Sequence, residues 1–187
     1  MLSQFGSSRG IAGVLLETFA ANALMSQLML KHVDQRCWRA QPIGQRQAGL
    51  RTIAELFAHM HNNRLSWLAR SASHLHCPAA LDPLRCTIRQ TAIAHRRSAA
   101  RCLQMLGQAL ADNPHRLVTK FSRGSWAEDW PAGATMFAYM FAHDAHHRGQ
   151  ILLLARQAGY PFADEAAYGI WHWETFWSAL GNSQGPR

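Results

Sequence analysis

The sequence predicts an all-α protein: an antiparallel four-helix bundle with a long loop before the fourth helix and an aromatic C-terminal segment. Three observations lead there. Apolar residues recur at spacings of three and four along four long stretches, and no set of alternating strand patterns competes with them. The breaks between stretches carry glycine and proline, at Pro42-Ile43-Gly44, at Pro78 and Pro83, at Asn113-Pro114 and at Gly159-Tyr160-Pro161. A chain of 187 residues also has the size of one domain with a substantial core, so residues 1–187 are expected to form a single unit.

The first helix is expected from Ile11 to about Trp38, on Val14, Leu15, Thr18, Phe19, Asn22, Leu28 and Met29. Thr52 opens the second, with Glu55 three residues on in the position of a capping box. That helix runs from about Ile53 to Ser71 and turns Ile53, Leu56, Phe57, Met60, Arg64 and Trp67 inward. The third runs from about Leu84 to Leu110 through Ile88, Ile93, Cys102 and Leu106. Residues 114–132 form a long connection, a length that is often functional. Within it Leu117 to Phe121 reads as an isolated β-like run, and Trp126 and Trp130 are expected to pack downward. The fourth helix extends from about Ala132 to Ala158, where glycine followed by proline stops it. Beyond it Tyr168, Ile170, Trp171, Trp173, Phe176 and Trp177 suit a short helix or turn that covers one end of the bundle, in preference to a dimer face. Only the last seven residues read as disordered.

Composition narrows the function classes. Hydrophobic residues make up 48% of the chain, which is normal for a globular fold. No unbroken apolar run approaches the length of a bilayer span, so no membrane helix is expected. The first ten residues are polar and rich in Gly and Ser without a secretion pattern, and a cytoplasmic protein is expected. The formal charge of +8 comes mostly from scattered arginines, with one cluster at Arg96, Arg97 and Arg101, so nucleic acid is not the expected partner. Cys37, Cys77, Cys86 and Cys102 show no C-x-x-C or zinc spacing and are expected to be reduced and buried.

The chemistry concentrates in Phe141-Ala142-His143-Asp144-Ala145-His146-His147-Arg148-Gly149-Gln150-Ile151. On a helix, His143 and His147 share one face with Met136, Met140, Ile151 and Leu154. Two imidazoles on an apolar stripe each need a polar partner, and one metal ion serves both. His146 falls on the other flank. A catalytic centre of the zinc type takes three protein ligands plus an open position. The second helix offers His59 and His61; the helical wheel sets His61 nearer the apolar centre and His59 on the flank, and does not choose between them. Imidazole suits zinc, nickel, iron or copper. His74, His76, His95, His115 and His172 lack ligand-like spacing and read as surface or loop residues. Asp144 either orients a histidine from behind or is solvated. Arg148 either pairs with an acidic group of a substrate or packs with Gln150 at the helix surface.

Two stretches resemble a known family. They are Thr52-Ile53-Ala54-Glu55-Leu56-Phe57-Ala58-His59-Met60-His61-Asn62-Asn63-Arg64 with Trp67-Leu68, and His143 to Ile151 with Gln157-Ala158-Gly159. Together they resemble the DinB/YfiT-like superfamily of metal-binding four-helix bundles. The resemblance implies a metal triad of one histidine on the second helix and two on the fourth. Carried over, these are His59, His143 and His147, since the family's ligand stands seven residues after the helix-opening threonine, here Thr52. It further implies a divalent ion, nickel or zinc, frequent homodimers, and enzymes that use a low-molecular-weight thiol, such as S-transferases acting on small molecules. Two other readings stand beside it. His143-Asp144-x-x-His147 is close to the H-E-x-x-H of metal-dependent hydrolases, and the fold would also serve a non-catalytic, stress-linked metal-binding dimer.

Overall fold

The computed structural model describes residues 10–41, 51–110 and 133–181, the last segment with side chains from Met136 onward. Four long helices, α1 (Ile11–His32), α2 (Ile53–Ser71), α3 (Ile88–Leu110) and α4 (Gly133–Gln157), are followed by α5 (Asp164–Ala167), a 3₁₀ turn at Gly169–Trp171 and α6 (Trp173–Ala179). No strand occurs among the described residues. Both α1 and α2 pack against α3 and α4, as the helices of a bundle do, and the C-terminal pieces pack against α1.

The ends of the elements follow from local chemistry. Thr52 and Glu55 form the expected capping box, each side chain bonding the other's backbone N–H. The bounds of α2 are those expected. Helix α1 stops at His32 and not near Trp38, because Val33 is extended and the Asp34 carboxylate closes a turn by accepting from the Arg36 backbone N–H at 2.7 Å and from its guanidinium. Trp38 thereby enters the core, stacks on Phe57 and donates from Nε1 to the Cys86 carbonyl at 3.0 Å. Helix α3 starts at Ile88 and not at Leu84, since Thr87 and Gln90 exchange a second reciprocal cap. At the end of α4, Gly159 adopts φ 83° while Gly159 N–H and Tyr160 N–H bond the Arg156 and Ala155 carbonyls, a closure that favours glycine.

Two apolar clusters fill the interior. One gathers Met25, Met29, Phe57, Met60 and Ile151; the other gathers Phe19, Leu68, Cys102, Leu106, Met136 and Met140. On every long helix, buried polar positions fall between the two. These are Asn22 and Ser26 on α1, His61 and Arg64 on α2, His95 and Ser98 on α3, and Asp144 and Arg148 on α4.

This polar layer centres on Asp144. Its side chain and that of Arg64 are both fully buried, and Arg64 Nη2 donates to Asp144 Oδ2 at 2.6 Å. Asn22 Nδ2 donates to the same oxygen at 2.9 Å. Arg148 Nη1 donates to the Asn22 carbonyl at 3.3 Å and lies 3.5 Å from Ser26 Oγ. Burial alone would raise the Asp144 pKa. The Arg64 charge, the neighbouring His143 and Arg148 outweigh it and hold the carboxyl well below the usual range. Burial also pushes Arg148 down, to about 10, which leaves it charged at neutral pH.

Several expectations need correction. Arg148 does not pack with Gln150 at the helix surface, because α4 turns it inward onto α1. Asp144 is not solvated. His95 is not a surface residue: it is 1% exposed, lies on the inward stripe with Thr91, Ser98 and Cys102, and its Nε2 bonds the Phe57 carbonyl at 2.8 Å. Cys77 is exposed, while Cys37, Cys86 and Cys102 are buried. Helix α1 is, by length and composition, long and apolar enough to cross a membrane, contrary to the expectation of no such helix. Scanning for unbroken apolar runs missed it because Asn22, Ser26 and Gln27 interrupt the run without lowering its mean hydropathy enough. Here α1 packs in the bundle with nine buried residues, Asn22 and Ser26 among them. The C-terminal aromatics divide: Ile170 and Phe176 join the core, whereas Tyr168 and Trp171 are 61% and 70% exposed. Residues 114–132, with His115, Trp126, Trp130 and the Leu117–Phe121 run, lie outside the described residues, as do residues 1–9 and 182–187.

Two outcomes follow from the polar layer. Arg64→Met strands a buried carboxylate and is expected to cost about 3–5 kcal/mol by urea unfolding. Burial holds His95 neutral, its pKa lowered to about 3. Between that value and the unfolded one, the unfolded chain binds more protons, so stability falls as pH falls. One such group contributes up to about 1.4 kcal/mol per pH unit. Urea midpoints at pH 7 and pH 5 are expected to differ less for His95→Gln than for the parent protein.

Candidate metal centre

The chain brings His59 of α2 and His143 and His147 of α4 together across a helix–helix contact. Their candidate ligand atoms all lie within 4.8 Å of one another. His59 Nε2 and His143 Nε2 are 3.3 Å apart. Two ligands on one tetrahedral ion at about 2.0–2.1 Å each stand roughly 3.3 Å from one another, so this spacing suits a shared ion. The rings meet at centroid distances of 5.2 Å for His59–His143, 4.8 Å for His59–His147 and 4.5 Å for His143–His147.

Other side chains orient two of the rings. His147 Nδ1 sits 2.7 Å from Gln150 Oε1, which can only accept, so the ring proton belongs on Nδ1 and the Nε2 lone pair is left for a ligand role. His143 Nδ1 faces Asp144 Oδ1 at 3.7 Å, and neither atom has a hydrogen-bond partner among the described residues. A carboxylate behind an imidazole favours the Nδ1–H tautomer and makes Nε2 the better donor to a metal. His143 is walled by Trp67, edge-on at 5.4 Å, and by Tyr139, stacked at 6.3 Å. Its side chain is 6% exposed. Burial pushes the His147 pKa down to about 4; the Gln150 bond opposes this, and His143, His146 and Arg51 reinforce it. The ring is therefore neutral at neutral pH, the form that binds a metal.

His61 has both ring nitrogens already engaged. It is fully buried, with Nε2 3.0 Å from the Ala79 carbonyl and Nδ1 3.1 Å from Ser98 Oγ. The helical wheel read its burial correctly, but burial did not reveal that both nitrogens were already used. His146 is exposed and only abuts the His147 ring. His74 is exposed and bonds Gln108; His76 and His172 are exposed. Sequence reasoning did not single out Asn63, whose Nδ2 lies 2.7 Å from His143 Nε2. Its signal was its place one turn after His59.

A helical bundle with three imidazoles converging from two facing helices belongs to the class of bundle proteins whose interiors can hold a metal ion. The DinB family model matches residues 15–175, most of the chain, and the protein belongs to that family. No curated protein and no solved structure matches it.

His61→Ala leaves the Ala79 carbonyl and Ser98 without their partner and is expected to lower stability by about 1–3 kcal/mol. His59→Ala is expected to cost less in the same urea titration, since His59 is not part of the buried brace.

Proposed function

We propose that the protein is a metal-dependent enzyme acting on a small molecule, of the thiol-dependent S-transferase kind, with His59, His143 and His147 holding a divalent ion, nickel or zinc. One observation carries the reading: the candidate ligand atoms of His59, His143 and His147 all lie within 4.8 Å of one another, while Gln150 engages the opposite ring nitrogen of His147. When bound, such an ion lowers the pKa of a coordinated thiol and presents the thiolate as a nucleophile. The residues of the chain supply the rest. Gln150 holds the His147 tautomer, Asp144 lies behind His143, and Trp67 and Tyr139 limit water beside His143. Arg51, exposed and close enough for its charge to act on His147, takes the anion-attracting role first considered for Arg148. A homodimer and a cytoplasmic setting complete the proposal.

The hydrolase reading needs Asp144 as the base that activates water. Its buried carboxylate is engaged by Arg64 and Asn22 and held at low pKa, which makes it a poor base.

The test is metal content followed by turnover. Plasma-ionisation mass spectrometry is expected to find a stoichiometric divalent metal in the parent protein and little in His59→Ala, His143→Ala and His147→Ala, each still helical. Unchanged metal in all three sinks the site. Metal-dependent conjugation of a thiol to an electrophile such as a chlorinated arene is expected. Its absence across a panel of thiols favours the non-catalytic, stress-linked metal-binding protein.

A further inference from the structure

The three histidines are part of a four-residue arrangement. On α2, His59 and Asn63 are one turn apart; on α4, His143 and His147 are one turn apart. Each pair shares a helix face, and the two faces meet. The two adjacent asparagines of α2 are used differently. Asn62 clamps the loop that follows, its Nδ2 donating to the Leu81 carbonyl and its Oδ1 accepting from Leu81 N–H, both at 2.9 Å. Asn63 instead aims its carboxamide at the triad, with Nδ2 2.7 Å from His143 Nε2.

That contact has two chemically distinct forms. With Nδ1–H of His143 toward Asp144, Nε2 carries a single lone pair, which can accept one proton or bind one cation. With Nδ2 toward the ring, the Asn63 amide N–H takes it, and His59 Nε2 stands 3.3 Å from the same atom. Once a cation takes it, the amide has nothing to donate to at that atom. Turning the amide over places Oδ1 where Nδ2 was, since the two ends are nearly equal in shape. Two acceptors then face each other at close range while the ring proton stays on Nδ1, an arrangement that becomes favourable with a cation between them.

We propose that Asn63 is the fourth protein group of the metal centre: it caps His143 when the site is empty and supplies Oδ1 to the ion when the site is filled. This rests on the metal-binding reading above. A neutral carboxamide is a weaker ligand than imidazole, so it is the ligand that an incoming anionic substrate displaces. The centre is thus closed at rest and opened by its substrate, in place of holding a permanently open position.

Cobalt(II) titration of metal-stripped protein, with a chromophoric chelator in competition, tests this without reference to turnover. Asn63→Ala is expected to weaken cobalt binding by about tenfold or more and to change the visible ligand-field spectrum of the cobalt. Asn63→Asp, which keeps the shape and adds a charge, is expected to tighten binding; it also guards against loss of fold in the alanine variant, which far-UV circular dichroism checks. Tighter binding in Asn63→Ala would mean that the amide only plugs the site, and would overturn the proposal. Equal affinity and an unchanged spectrum in both variants would overturn it as well. In both cases the triad survives provided the parent protein binds cobalt and His143→Ala does not. A parent protein that binds no cobalt overturns the triad and the role of Asn63 together.

Discussion

The buried carboxylate of Asp144 is the constraint on which the rest depends. One oxygen, Oδ2, receives Arg64 from α2 and Asn22 from α1. The other, Oδ1, faces the ring of its own chain neighbour, His143. Three helices and one candidate ligand are therefore indexed to a single side chain. An ion pair of this kind gives little net stability over an apolar core of the same shape, because both charges lose their water. Its value lies in register: α1, α2 and α4 bring Asn22, Arg64 and Asp144 together at one mutual setting, and in that setting His59 stands opposite His143 and His147.

The polar layer carries two guanidinium groups, Arg64 and Arg148, against one carboxylate. Much of the second charge is met by oxygen dipoles, the Asn22 carbonyl and Ser26 Oγ. Such an arrangement leaves positive potential just behind the histidines. Such a potential favours negatively charged ligands at the centre. The local chemistry of the triad and the energetics of the core are for this reason one problem.

Much of this was legible in the sequence. Helical periodicity, the Thr52–Glu55 cap and the glycine–proline stop after α4 each act through neighbours within a turn or two, so a linear reading captures them. The spacing of His143 and His147 is likewise local. What could not be read depends on contacts between distant segments. The helical wheel did not choose between His59 and His61, and the family resemblance did; the groups that occupy His61, the Ala79 carbonyl and Ser98, come from a loop and from α3. Arg148 and His95 looked like surface residues because charge and polarity usually mark the outside; their partners, Asn22 and Phe57, lie on other helices. The early end of α1 came from the Asp34 turn, a local feature that the apolar pattern of Cys37 and Trp38 masked.

The separation between partners in the polar layer bears on biosynthesis. Asn22 and Asp144 are 122 positions apart, and Asn22 and Arg148 are 126 apart. At a ribosomal rate of about 5–20 residues per second, Asn22 is made roughly 6 to 24 seconds before Asp144. Throughout that interval the most apolar helix of the bundle is without the partner that gives its polar face a place to sit. The polar groups of α1 can therefore be paired only after α4 has left the ribosome, so this part of the interior is completed late in synthesis.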